Sequence, residues 1–542
     1  MQSRTRLLGV TALALGASSQ AQAICYVNST LIGGADSGTS WSNAYTDLQT
    51  ALQDTHCNEI WVAKGVYKPT SKAKADQTVS FDIKPGVAVY GGFIGDGTEF
   101  TRNASNPAKN RTVLSGDIDD NDANVGGSEI DTTAEDIVGA NSFHVVTMDG
   151  TTAAGNIVSN TVLDGFTITA GEAAQNLGTN YPEYVGAGLY CDGEGMGNEC
   201  SPSLTRLIFS GNAAREGFGG ALYNNALHGK SDPIISDSRF EGNLAIGGGA
   251  MANEAEATDS ECNPTISRTV FAGNTAAPNL GYAAFGGAIA NAGKSNAGLQ
   301  DVVFSYNLAE SGGAIANLSN YGTSSPTITG ATFMFNAASD NGGALYNVSQ
   351  DAQSDPVLLN STFVGNTSTN FGGAIFNSAS MAGASSPLLA SVTFSANSAA
   401  RGGAMYNDAT SPARSSPVLR NVILWGDTAL ASDPEIFNDN ASPDIDYSIV
   451  EGGCPFESIC GGGLITKDPM LGALADHGGF EPTLLPAIGS PAIDSGDNTA
   501  GTCPTIDQRG FPRSDGGCDI GSVERQTPED IIFKDGFGTF TN

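Results

Sequence analysis

Between residues 204 and 407 the chain says the same thing seven times. Phe-x-x-Asn recurs as Phe209/Asn212, Phe240/Asn243, Phe271/Asn274, Phe304/Asn307, Phe333/Asn336, Phe363/Asn366 and Phe394/Asn397. It alternates with Gly-Gly-Ala and an apolar residue, starting at Gly219, Gly248, Gly286, Gly312, Gly342, Gly372 and Gly402. The Phe positions are 29 to 33 residues apart. A period of this size means one structural unit stacked on copies of itself. Each unit holds short apolar runs, such as Thr269–Phe271 and Gly287–Ala290, broken by Gly, Asn, Ser and Pro. The runs have strand length, and no 3.6-residue period links them. Three short strands and three turns make one coil of a parallel β-solenoid. Its coils lie about 4.8 Å apart through backbone hydrogen bonds.

Within such a coil, Phe forms an internal aromatic stack, and the Ala and apolar residue fill the interior. The paired glycines suit a turn with positive φ or a close backbone approach. The Asn of Phe-x-x-Asn suits a left-handed corner. A second Asn follows each Gly-Gly-Ala (Asn224, Asn253, Asn291, Asn317, Asn347, Asn377 and Asn407). It sits two residues after the apolar one, so in an extended strand both face inward. Either the chain turns there, or the amides bond coil to coil in a ladder. A motif found in every coil serves what every coil needs, so these asparagines are read as structural rather than as ligands.

The Phe-x-x-Asn and Gly-Gly-Ala-(Ile/Leu/Val) pair resembles the repeats of the chlamydial polymorphic outer-membrane proteins. The resemblance covers Phe209 to Asn407. It implies an all-β, right-handed parallel β-helix of the pectin-lyase type, displayed on a Gram-negative cell surface. The members of that family end in a translocating outer-membrane barrel, which needs many alternating strands of about ten residues. The 135 residues after Asn407 here are rich in Pro, Gly and Cys instead.

Residues 1–23 read as an export signal: Arg4 and Arg6, then the apolar Leu7–Ala17, then Ala21-Gln22-Ala23. Residues 24–80 form an N-terminal cap, in which Tyr45, Leu48 and Leu52 share one face of a short helix over Asp47–Thr55. Residues 81–450 form the β-helix, with about 11 to 13 coils in all. Residues 451–525 carry Ser490–Asp497, Asp507–Phe511 and Asp519–Glu524, a trio similar to a choice-of-anchor module, and are expected to cap the solenoid. In the tail, 526–542, Asp530–Phe537 resembles a short sorting motif.

Nine cysteines fit an oxidising destination. Cys25 and Cys57 bracket the first unit, and Cys191/Cys200, Cys454/Cys460 and Cys503/Cys518 are close pairs. These eight are disulfide candidates, and Cys262 is left over. No Cys-x-x-Cys or His-x-x-x-His spacing supports a metal reading.

The charge is −33, or −35 without Arg4 and Arg6. That repels nucleic-acid phosphates and anionic lipid, and no segment of the mature chain has the length and apolarity of a transmembrane helix. Partners are then a glycan or a cell-surface protein, met by a monomer. Calcium is the one cofactor the sequence admits. Asp117, Asp119 and Asn121 offer oxygens at alternate positions, although Asp122 stands where a calcium loop has Gly and Ser128 where it has Glu.

Catalysis on this fold needs unusual residues at one coil: an Asp pair for hydrolysis, or a basic residue beside a uronate for elimination. The base candidates Arg206, Arg215, Lys230, Arg239, Arg268 and Lys294 read as dispersed. The other acidic group, Asp494, Asp497, Asp507 and Asp519 with Arg509, reads as a salt-bridged network. The sequence therefore favours a non-catalytic, exported, surface-associated β-helix that binds through its loops, with a polysaccharide lyase or glycoside hydrolase as the rival.

Overall fold

The computed structural model describes residues 24–70, 76–123, 130–174, 181–279, 281–320, 322–499, 502–513 and 516–526. The export signal and all but the first residue of the 526–542 tail lie outside these ranges.

The chain forms an all-β parallel solenoid of about 13 turns with three faces. Among the described residues, the long face is a 21-stranded sheet, the second face has 11 strands and the short face 8. One coil shows the path. Thr265–Ala272 lies on the long face, Thr275–Ala276 on the short face and Ile289–Gly293 on the second face, and Gly298–Ser305 then opens the next coil. Registers hold motif on motif: Phe271 pairs with Phe304, and Asn291 with Asn317.

The core follows from that register. The seven phenylalanines stack with ring centroids 4.5 to 4.9 Å apart and planes within 10°. Each is fully buried. The two glycines of Gly-Gly-Ala do different jobs. The first is left-handed, as at Gly312 (φ 70°). The second faces the neighbouring coil so closely that a Cβ on Gly313 would lie 2.2 Å from the Gly343 carbonyl oxygen.

The structure corrects the corner assignment for all seven asparagines of Phe-x-x-Asn. The left-handed residue is the one before each of them: Gly211, Gly242, Gly273, Tyr306, Phe335, Gly365 and Ala396. Asn212, Asn243, Asn274, Asn307, Asn336, Asn366 and Asn397 themselves turn inward and are buried. The physical reason is that a corner needs only a left-handed backbone, which Gly supplies most cheaply and Tyr306, Phe335 and Ala396 also adopt, whereas an amide facing inward can bond to the coils on both sides. Asn243 donates from Nδ2 to Asn274 Oδ1 (2.9 Å) and to the Phe209 carbonyl (3.1 Å). Its Oδ1 accepts from the backbone N–H (3.1 Å) and Nδ2 (3.0 Å) of Asn212. Asn307 repeats this two coils on, donating to Asn336 Oδ1 (2.9 Å) and the Phe271 carbonyl (3.0 Å). It accepts from the backbone N–H and Nδ2 of Asn274, both at 3.0 Å. The second asparagine forms its own ladder, one amide bond per coil from Asn224 to Asn438, at 2.7 to 2.9 Å.

At the N-terminal end the helix is Leu48–Gln53. Asp47 caps it by accepting from the Gln49 N–H at 3.2 Å, and the helix buries Leu48 and Ala51. Tyr45 lies ahead of it, its hydroxyl on Asp54 at 2.8 Å. The solenoid runs past residue 450, since Ile459–Cys460 still pairs in parallel with Asp444–Asp446. Disulfides join Cys25–Cys57, Cys191–Cys200, Cys454–Cys460 and Cys503–Cys518, and Cys262 is a buried free thiol. No helix among the described residues is long and apolar enough to cross a membrane.

Candidate functional site

The long face bends once per coil, at a residue held left-handed. In stacking order these are Arg206 (φ 50°), Asp237 (52°), Arg268 (47°), Asp301 (53°), Gly330 (63°), Asn360 (47°), Ser391 (55°) and Asn421 (54°). A left-handed non-glycine residue costs roughly 1 kcal/mol, and the bend makes that conformation obligatory in every coil. Its outward side chains therefore form a column along the solenoid. In the first four coils that column alternates in charge.

Pairing along the column is close. Arg206 forks onto Asp164, Nε to Oδ1 at 2.7 Å and Nη2 to Oδ2 at 2.8 Å. Arg268 Nε donates to Asp237 Oδ1 at 2.7 Å, and Arg239, two residues beyond the bend, pairs with Glu241. A cleft of about 510 Å³ opens here between the 105–111 loop and the bend, lined by Ser105, Arg111, Phe166, Arg206, Asp237 and Arg239. Ser105 Oγ accepts from Arg206 Nη2 at 3.3 Å.

The C-terminal segment walls the other end. It does not close the solenoid as a cap but folds back over the outer surface of the long face. Asn360 Nδ2 donates to the Ile506 carbonyl (2.9 Å), Gln508 Nε2 to the Ala331 carbonyl (3.1 Å) and Asn421 Nδ2 to the Asp497 carbonyl (3.1 Å). The Ser522 N–H reaches Thr393 Oγ1 at 3.0 Å. A second cleft, of about 390 Å³, lies under its edge and is lined by Arg268, Asp301, Asn360, Phe480, Gln508 and Arg509. The column is thus covered from Asn360 onward and open from Arg206 to Asp301. Beside Asp301 the Glu481 carboxyl is buried, which pushes its pKa up to about 9, with the Asp301 charge adding to the shift.

This strap holds together through ions. Asp507 and Arg509 pair at 2.7 Å, as the sequence suggests. Asp519 accepts from the Asp494 and Arg525 backbone N–H groups, and Asp497 from that of Thr499. The central pair is Arg513–Glu524 at 3.0 Å, both side chains fully buried, and nothing in the sequence pattern marks it.

Of the six dispersed bases, three converge on the open column: Arg206, Arg239 and Arg268. The others sit elsewhere, Arg215 on Glu172 (3.0 Å), Lys230 between Glu199 and Asp232 (3.4 and 3.3 Å) and Lys294 on the Thr258 carbonyl. The signal that finds the column is the repeat itself. Arg206, Asp237 and Arg268 are each 31 residues apart, and Asp301 follows after 33.

The calcium candidates are already engaged with protein groups. Lys68 Nζ lies 3.4 Å from Asp117 and also contacts Asp120. Asp119 Oδ2 accepts from Asn121 Nδ2 (2.9 Å) and from the Ala140 N–H (3.2 Å). The Asn121 amide thus turns its nitrogen toward Asp119, and a cation on these oxygens would have to displace Lys68. Among the described residues, the one group of three His, Cys, Asp or Glu ligand atoms close enough to share an ion is Cys25, Asp54 and Cys57, whose two cysteines are disulfide-bonded.

Residues 360–378 match the Chlamydia polymorphic membrane protein repeat. That stretch contains Phe363, Asn366, the Gly-Gly-Ala of Gly372 and Asn377, and so holds one rung of each ladder. Among solved structures the chain is similar to a mannuronic acid specific polysaccharide family 6 lyase from human gut microbiota, at 11% identity, with 74% of this chain and 85% of that one covered and a TM-score of 0.37. It is also similar to the pectate lyase Pel9A, at 11% identity, with 93% and 96% covered and a TM-score of 0.34. No curated protein matches the chain.

Proposed function

We propose that the protein is an exported surface β-solenoid that binds a polysaccharide along the open stretch of its long face, without cleaving it. The observation that carries this is the alternating Arg206–Asp237–Arg268–Asp301 column, set between a loop wall at one end and the strap at the other. Guanidinium and carboxylate groups one coil apart offer donors and acceptors at a fixed spacing of about 4.8 Å, suited to the hydroxyl groups of an extended sugar chain. A rigid rod presents them already ordered, which lowers the entropic cost of binding.

Binding is favoured over catalysis because the arginines of the column are ion-paired. A guanidinium forked onto a carboxylate is a poor base, since its charged form is further stabilised, and the hydrogen bonds to Asp164 hold Arg206 above its ordinary pKa. Arg111, exposed in the first cleft, has no carboxylate within 4 Å among the described residues and is the group best placed to meet an acidic substituent. The enzyme reading draws on the neighbouring carboxyls Asp301 and Glu481, but burial raises both of them, whereas a glycosidase pairs a raised carboxyl with an ionised one. Glu481 is 2% exposed, which keeps it from a sugar chain in the cleft.

Export rests on the Arg4–Ala23 pattern and on the four disulfides, which fit an oxidising compartment. Attachment through 451–525 and the tail is part of the same proposal. The test is retention of purified mature protein on a panel of immobilised neutral and acidic polysaccharides, with the soluble fraction assayed for new reducing or unsaturated ends. Retention that is lost in Arg111→Ala and Asp237→Ala supports the reading. New ends would make the protein an enzyme.

A further inference from the structure

Seven coils place Asn on the inner ladder and, at the Gly-Gly-Ala corner, an Ala that is fully buried. The eighth coil changes both. In register with Phe394-x-x-Asn397 stands Leu424-x-x-Asp427, and in register with Gly402-Gly403-Ala404 stands Asp433-Pro434-Glu435. The two new acids meet inside the solenoid. Asp427 is 4% and Glu435 3% exposed, the latter in a position where the seven preceding coils carry a methyl group.

Asp427 ends the ladder. Its Oδ1 accepts from the backbone N–H and the Nδ2 of Asn397, at 2.6 and 2.7 Å. Its Oδ2 has no donor from a third residue, and the Glu435 carboxyl meets only Asp427, through that residue's carboxyl and backbone N–H. Two buried carboxylates in contact cannot both be charged without a large penalty, so something must sit between them. The charged group nearest them from the following coil is Glu451, which accepts the Gly426 N–H at 2.8 Å and adds negative potential. From the preceding coil they meet the neutral Asn397. Among the described residues no third His, Cys, Asp or Glu ligand atom closes a cage with them. A proton, rather than a metal ion, fits the pair.

We infer that Asp427 and Glu435 share a proton, and that this shared proton latches the last full coil and the strap docked on it, making both sensitive to rising pH. The geometry gives the roles. Asp427 Oδ1, holding two N–H donors, belongs to the ionised member, and Glu435 is the member that keeps the proton and can donate it to Asp427 Oδ2. Burial raises the pKa of both carboxyls, and the negative neighbours add to it.

The coupling to the strap runs through the same coil. Ile423, beside Leu424, packs in one cluster with Ile449 and with Ala492 and Ile520 of the strap. Asn421 Oδ1 accepts the Asp497 N–H at 2.7 Å, and its carbonyl accepts the Gly521 N–H at 2.9 Å. Loosening this coil loosens the strap over Asn360 to Asn421 and lengthens the open column. The inference does not depend on what the column binds.

The sign follows from proton counting. Both folded-state pKa values lie above their unfolded values, so over that range the folded state holds more protons and stability falls as pH rises. Below the ordinary carboxylate range, about 4, the pair adds no pH dependence. Above it the latch weakens steadily.

The test restores the regular repeat with Asp427→Asn/Glu435→Ala, beside the size-conserving Glu435→Gln. Thermal midpoints are read at pH 5, 7 and 9 in full-length protein. Hydrogen exchange, corrected for its intrinsic pH dependence, is read in 417–439 and 479–526. Between pH 6 and 9 wild type should lose protection in both segments at least tenfold more than the double variant does. The variant's thermal advantage should grow with pH, and Glu435→Gln should lie between the two. Since both proteins keep every other titrating group, those contributions cancel in the difference. A gap between variant and wild type that is the same at pH 5 and 9 would overturn the inference. So would a Ca²⁺-dependent rise in the wild-type midpoint that the variant lacks, since that makes the pair a metal site.

Discussion

Truncating one asparagine in each ladder compares them directly. Asn307→Ala removes four buried hydrogen bonds, to Asn336, Phe271 and twice to Asn274. Asn317→Ala removes two, the donation to Asn347 at 2.7 Å and the acceptance from Asn291 at 2.8 Å. Both residues are fully buried, so water does not replace the lost partners. Asn336 Oδ1 keeps the Asn307 backbone N–H and Asn274 Nδ2 keeps the Phe240 carbonyl, so the count is of bonds lost: at about 1 kcal/mol net for each, Asn307→Ala costs about 4 kcal/mol and Asn317→Ala about 2. The truncated atoms are the same, so the cavity contributions largely cancel. Urea unfolding followed by far-ultraviolet circular dichroism measures both, with the slope checked for loss of cooperativity, which long repeats can show. The Asn307 variant should unfold at the lower urea concentration. Equal costs, or a larger cost at Asn317, would refute the assignment of the Phe-x-x-Asn amide as the principal ladder.

Other expectations follow from the same geometry. Gly313→Ala drives a Cβ to within 2.2 Å of the Gly343 carbonyl and should cost several kcal/mol in a thermal melt, while Gly298→Ala, with nothing within 4 Å, should be near neutral. Removing the Cys25–Cys57 bridge as a double Ser variant frees a loop with a separation of 32 residues and should cost about 3 to 4 kcal/mol in denaturant. Glu481, raised to about 9, holds its proton when folded and loses it on unfolding at neutral pH, so its contribution falls as pH rises toward 9. Glu481→Gln should flatten that fall and raise the free energy of unfolding at pH 8, read from urea titrations, by an amount on the order of a few kcal/mol.

The sequence foretold what repeats by identity. Phe, Gly-Gly and the two asparagines recur as the same residue, because each coil imposes the same packing, so the fold class could be read directly, while the second asparagine was legible only as a turn or a ladder, and the structure makes it a ladder. The first asparagine was legible as structural but not in its direction: Asn243 and its equivalents follow a left-handed residue, and spacing alone does not say which of two neighbours makes the corner. The bend of the long face also recurs, but what it demands is a left-handed backbone. Arg206, Asp237, Asn360 and Ser391 all meet that demand, so no letter marks the column until the coils are set in register. The strap was beyond reach for a different reason: Gln508 bonds Ala331 across 177 residues, and an irregular segment carries no period to show where it lies. Arg513 and Glu524 were missed on the same ground. Asp427 and Glu435 are legible as departures from the repeat, once the coil that holds them is aligned with its neighbours.

The central claim is that the open column binds a polysaccharide and leaves it whole. Its most direct measurement is titration of full-length protein with the polysaccharide that retains it best, by calorimetry, beside Arg111→Ala, Asp237→Ala and Arg268→Ala, followed by analysis of the chain length of the recovered polymer. Heat of binding that the three substitutions reduce at least tenfold in affinity, with polymer length unchanged, is the predicted result. Affinity untouched by all three, or a shortened polymer, would contradict it.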